Sequence, residues 1–397
     1  MNFGRIAAAI AVGAMLAACS GQGGSMPTQS QGVGQAVPFA GGATTGRSIA
    51  DINHWTPRFI TMTPRNVNYA MLDKQQAAGA TIPFYSGSVK SPLDGKTYNY
   101  QIVGADPRSS KKTTKVTYVP IVLVITFSDG TVLDPTQPGC NDTVSVADRF
   151  FKGPNFVKTP LTSNGVNVGK VQVTDGFQRA ELWNAIASKT KWHTVLKPAV
   201  TPIIVKINAP SGSKTQAGVC TGSSHNIGEI DINAYDNIVT GLATQYATTT
   251  QVPVVLSYNT FETSGGCCIL GYHNAFGRSG GTQVYAVGAY NDAGIFGTTP
   301  IEDIHAWTHE IGELLNDPFV NNGTPAWGHV GQVGGCQNNF EVGDPLTGTA
   351  FTLSYNGFTY HPQELAFFDW FFRTSGDGTG GKFSFEGTFT ASQGACH

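Results

Sequence analysis

Two periods of apolar residues run through this chain, and they separate strands from helices. Between residues 81 and 135 the stretches TYNYQIVG and KVTYVPIVLVITFSDGTVLDP are β-branched and aromatic, broken at Asp129-Gly130, a pair that favours a hairpin. TPIIVKINAP (201–210), VPVVLSYNTFET (252–263) and TQVYAVGAYND (282–292) read as further strands. GFQRAELWNAIASKT (176–190) has helical spacing instead, and IGEIDINAYDNIVTGLATQYATTT (227–250) passes from strand to helix. Strands interleaved with a few helices predict an α+β fold, and no internal repeat is visible.

The segment 298–317 carries the clearest helix signal. Thr299, Pro300 and Glu302 stand as N-cap, first helical residue and capping-box acid, while Asn316 and Pro318 mark the far end. Ile304, Thr308, Ile311 and Leu315 fall on one face. His305, His309 and Glu313 form a second stripe, each four residues on. Further along, Leu365–Phe372 reads as a buried aromatic helix begun by Pro362, flanked by His361 and Glu364.

One apolar run behaves differently. Ile6–Met15 follows Arg5 and is too short to span a bilayer, but it suits the core of a secretory signal. It ends in Leu16-Ala17-Ala18-Cys19, which resembles the lipobox of bacterial lipoproteins, where cleavage leaves Cys19 as a lipidated N-terminus. The expected organisation is a signal peptide over 1–18, a Gly/Ser/Gln tether over 19–46, a β-rich part over 47–210 and a metal-binding part over 211–397. The chain is then exported and attached to a bacterial cell envelope through lipid; Ser20 resembles outer-membrane sorting in Gram-negative cells. Charged residues make up 13% of the chain and the net charge is −2, so nothing electrostatic favours nucleic acid as a partner. Beyond Cys19 the cysteines are Cys140, Cys220, Cys267, Cys268, Cys336 and Cys396, an even count that predicts disulfides in an exported chain. The neighbours Cys267 and Cys268 are expected to staple two different segments to one point.

The second helical stripe holds the chemistry. A histidine and a ligand one turn later can grip one metal ion, with Glu310 beside it to take a proton from water. In the familiar H-E-x-x-H pattern the second ligand is imidazole; here Glu313 supplies oxygen. Zinc accepts that, and a harder ion such as manganese comes into range. His305 could also partner His309, although Glu310 would then follow the pair. His54, His193, His225 and His329 read as solvated or locally satisfied, and no G-x-S-x-G supports a serine hydrolase.

These residues resemble zincin-like proteins with H-E-x-x-E followed by D-P or N-P, among them the secreted EXORDIUM or phosphate-induced proteins of plants and related bacterial proteins. Three elements carry the likeness. Cys268 with Gly271-Tyr272-His273 resembles a Cys-Gly-aromatic-His element ahead of the helix. His309-Glu310-Ile311-Gly312-Glu313 with Asp317-Pro318 resembles the helix itself, and Glu341-Val342-Gly343-Asp344 resembles an acidic E-x-x-D element after it. Relatives often continue that element into a cysteine, whereas Pro345 follows here. The resemblance implies a zincin-type fold, a mixed sheet with an active-site helix. It also implies a zinc ion held by His309, Glu313 and a downstream acid, Glu341 or Asp344, with His273, Asp317 and His305 as alternative or supporting groups. Glu310 would activate water against a peptide carbonyl. The alternative is a non-catalytic cell-surface binding or signalling protein on the same scaffold.

Overall fold

The computed structural model describes residues 55–189 and 191–397. The lipobox with Cys19, the tether and His54 lie outside the described residues. What is described is a mixed α+β fold with a curled sheet.

The sheet is organised by Thr113–Thr126, a strand buried on both faces from Val119 to Ile125, as its unbroken apolar run requires. Gln251–Tyr258 pairs with it in parallel, Gly281–Tyr290 pairs in parallel with that strand, and Gly271–Arg278 closes this side as an antiparallel edge. On the other side His193–Pro198 and Ile203–Asn208 follow one another in parallel along the same long strand, while Val132–Leu133 returns antiparallel against its end on the side of Gln251–Tyr258. Strands from before and after residue 210 therefore share one sheet. A second sheet joins Trp55–Arg58, Cys267–Ile269, Thr260–Thr263, Ile227–Asp231 and Lys214–Gln216 in that order.

Alternation along Gly281–Tyr290 decides what lies on each face. Tyr285 and Val287 join a core with the Ile232–Tyr246 helix, whose Asp231 cap accepts from the amides of Asn233 and Ala234. Val284 and Ala286 face the other way and pack with Trp307, Ile311, Leu314 and Leu315 of the His305–Asn316 helix. Val173–Glu181 covers that helix from outside. All twelve residues of His305–Asn316 are buried, the polar stripe included.

Four expectations are corrected. The helix begins at His305, not at the Thr299-Pro300 pair: Asp303 sits at φ 43°, and its carboxylate accepts from the amides of Ile304 and His361, turning the chain just ahead of the helix. Asn316 stays helical, its amide donating to the Gly312 carbonyl at 2.9 Å, and Asp317 closes the helix at φ −141°. The aromatic helix spans only Phe368–Phe372, because Leu365 and Ala366 spend their main-chain groups on Phe385 and Val342. Finally, Cys267 and Cys268 are bonded to each other, joined by a cis peptide, while Cys140 pairs with Cys220 and Cys336 with Cys396. Among the described residues no helix is long and apolar enough to cross a membrane.

Candidate metal centre

Helical spacing puts His309 and Glu313 side by side: Nε2 of the imidazole lies 3.0 Å from Glu313 Oε1. The loop after the next hairpin brings in Asp344, whose Oδ1 is 3.6 Å from the same nitrogen. Glu341 arrives with that loop, accepting from Asn339 Nδ2 at 3.4 Å and lying near enough to Glu313 for the two carboxyls to influence each other. From the edge strand comes His273, with Nδ1 at 3.5 Å from Glu310 Oε2 and 3.6 Å from Glu313 Oε2. Two groups of converging donors result, His309–Glu313–Asp344 and His273–Glu310–Glu313, sharing Glu313. His305, one turn earlier, is in neither. Asp317 turns its carboxylate to the amides of Asn321 and Asn322, so it shapes the loop after the helix. Glu364 is also occupied elsewhere, by Ser384 and Thr388 and by the amide of Glu386, and His361 pairs with Asp303 and Glu302.

The protonation of both imidazoles follows from their far nitrogens. His273 Nε2 is 3.1 Å from the Asp317 carbonyl, which can only accept, so Nε2 carries a hydrogen and Nδ1 is the nitrogen turned toward the acids. For His309 the partner is Gln363, whose Nε2 donates to the Gly343 carbonyl at 2.5 Å; its Oε1 therefore accepts from His309 Nδ1–H at 3.1 Å. The Nε2 lone pair is left facing Glu313 and Asp344. Gln363 is itself fixed through its main-chain N–H, which donates to Thr308 Oγ1 at 2.8 Å. This is how metal-binding histidines are held, with the outer nitrogen donating to oxygen.

Charge makes the same point. Burial, then Glu313 and Glu341, holds Glu310 well above the ordinary carboxylate range. Glu341 is raised by burial and then by Glu313. Burial pushes Glu313 and Asp344 up to about 7, against hydrogen bonds that lower Glu313 and the His309 interaction that lowers Asp344. The His309 imidazole is driven down to about 4 by burial, so it is neutral at physiological pH. Among the described residues none hydrogen-bonds either oxygen of Glu310 or His309 Nε2. Buried acids and aimed lone pairs without donors fit a divalent cation; imidazole nitrogen with carboxylate oxygen suits zinc, and the oxygen excess also suits manganese.

Close packing supports the arrangement at two glycines. A Cβ on Gly271 would stand 3.0 Å from Glu310 Cγ, and one on Gly343 only 2.2 Å from His309 Nδ1. Gly343→Ala should tilt the imidazole off Gln363 and weaken metal retention by about ten- to hundredfold, the usual effect of losing a ligand's supporting contact. Competition against a chromophoric chelator reads this directly, and an unchanged affinity would remove Gln363 from the account.

Sequence reading placed the helix and the acidic element, Gly343 within it, but gave Gly343 no role and missed Gln363, Gln332 and Phe59. None of these has a local signature: Gln332 and Phe59 reach the site only through the fold. No protein-family model, no curated protein and no solved structure matches this chain.

Proposed function

We propose that this chain is an exported, lipid-anchored hydrolase of the zincin type that cleaves peptide bonds with a bound zinc ion. The observation that carries the reading is the pair of imidazoles, each fixed through its far nitrogen with the other nitrogen turned toward Glu313. His309, Glu313 and Asp344 are the residues to hold the cation, with Glu341 near Glu313 and His273 on the opposite side. When bound, the cation supplies Lewis acidity to an oxygen placed against it. Glu310 is the proton-transfer group: its oxygens are free of hydrogen bonds among the described residues, and burial raises its proton affinity into the range useful near neutral pH. It takes a proton from the attacking water and passes it to the leaving amine. His273 Nδ1, 3.5 Å away, helps hold the Glu310 carboxyl in place.

The three disulfides fit an oxidising compartment, and Leu16–Cys19 supplies the lipid attachment in this reading. One observation favours the non-catalytic alternative: every side chain of the site is buried, and the Phe59 ring lies flat on His309. The deciding experiment is metal analysis of the purified chain together with hydrolysis of a mixed peptide library. About one equivalent of zinc is expected, lost in His309→Ala, with cleavage abolished by chelation and restored by zinc. A chain that retains no metal and cleaves nothing would overturn the proposal.

A further inference from the structure

Residues 55–65 run beside the edge strand and across the site. At one end Trp55–Arg58 pairs in parallel with Cys267–Ile269, and the Arg58 carbonyl accepts from the Leu270 amide at 2.9 Å. At the other end Arg65 bridges Phe276, donating to the Ala275 carbonyl at 3.3 Å and accepting from the Gly277 amide at 2.8 Å. The Arg65 side chain is tied down by Asp236 at 2.5 Å. Between these anchors residues 59–64 form no strand of their own, and their polar contacts go to side chains around the site instead.

Phe59 is the first residue of that interval. Its ring stacks on the His309 imidazole, centroids 3.4 Å apart and planes within 12°. Its main chain is held on both sides by one amide: Phe59 N–H donates to Gln332 Oε1 at 2.7 Å, and Gln332 Nε2 donates to the Phe59 carbonyl at 3.2 Å. The same Nε2 donates to Asp344 Oδ1 at 2.5 Å. Two residues on, Asn339 donates to Thr61 Oγ1 at 2.9 Å. Packing for burial alone needs no donor and acceptor matched to one residue's main chain. Reading an extended backbone by its N–H and C=O, with a side chain in a fixed place, is how edge strands bind peptides.

We propose that residues 55–65 are a built-in occupant of the site, standing where an extended peptide substrate lies with a large aromatic side chain over His309, and that such peptides enter when this segment withdraws. The word substrate rests on the peptidase reading above; the covering of His309 does not. Gln332 couples the two, because the amide that grips the occupant also holds Asp344.

The test reads access to His309 in the metal-stripped full chain, by diethylpyrocarbonate modification located by mass spectrometry. His309 should be protected in the natural chain and modified at least about tenfold faster in Phe59→Ala, since loss of the stacked ring favours local opening. Millimolar peptide WTPRFITM, the sequence of residues 55–62, should restore protection in that variant, and WTPRAITM should not. If Phe59→Ala fails to fold, Phe59→Leu keeps apolar bulk and should show the same change in reduced degree. Equal modification of His309 in folded variant and natural chain would overturn the proposal, as would failure of WTPRFITM to protect. A chain without metal or hydrolysis whose His309 still behaves as described would overturn the proposed function alone.

Discussion

Glu310→Gln should lose hydrolysis by a factor of about 10²–10⁴ while keeping its metal, the size expected when a proton-transfer group is removed. The substitution preserves shape and removes only the ability to take a proton. Its value lies in an ambiguity of the geometry: Glu310 converges with His273 and Glu313 as one of two donor groups, so it could act as base or as ligand. The packing favours the base. Glu313 and Asp344 receive hydrogen bonds from Gly343, Gln332 and Gln337 that orient ligating oxygens, whereas Glu310 receives none from the described residues. Parallel measurement of metal content and of turnover on the same preparation separates the roles. Loss of metal in this variant would make Glu310 a ligand, and turnover within a few-fold of the natural chain would remove it from the mechanism.

What the sequence disclosed about the site was the part with a short period. His309 and Glu313 are four apart, so once 305–316 is helical their meeting follows, and the α+β character followed from runs such as Val119–Ile125. The start of the helix was misjudged for a physical reason. Thr299, Pro300 and Glu302 have capping chemistry, but Asp303 in a left-handed conformation breaks the chain direction, and the partner that helps fix it, His361, is 58 residues away. Distant partners hide in the same way at the centre. Gln363 decides which nitrogen of His309 carries its hydrogen, yet a lone glutamine beside an aromatic run says nothing of that. His273 was named only as an alternative; its role becomes visible once the edge hairpin Gly271–Tyr290 lays it across the helix. Cys267 and Cys268 are expected to serve separate segments because bridging adjacent residues strains the backbone, and the structure joins them.

The metal-stripped chain should become less stable between pH 7 and pH 9, and zinc should remove most of that loss. In the folded state Glu310 and Glu341 hold their protons well above the ordinary range, chiefly through burial, whereas in the unfolded chain they are ionised throughout this window. Folding therefore takes up protons, and each such carboxyl costs about 1.4 kcal/mol of stability per pH unit until pH passes its folded value. Glu313 and Asp344, at about 7, have lost most of their contribution by then. The imidazoles have the opposite sign and act elsewhere: His305 and His309, driven down to about 3 and about 4, give stability that is lost as pH falls below 6.5 and is constant above it. Glu262, which belongs to neither donor group and is pushed up to about 8 by burial, contributes a falling slope with or without metal. The difference between the stripped and zinc-loaded chains thus isolates the cluster, where a cation replaces the protons and competes better as pH rises. Urea unfolding at pH 7 and pH 9, with chelator and with zinc, should show a gap that widens by at least about 2 kcal/mol, against a ceiling of about 5.6 kcal/mol for two carboxyls at about 1.4 kcal/mol per unit over two units. A gap of the same size at both pH values would mean that zinc binding is not coupled to the ionisation of Glu310 and Glu341, and would place the ion away from this cluster.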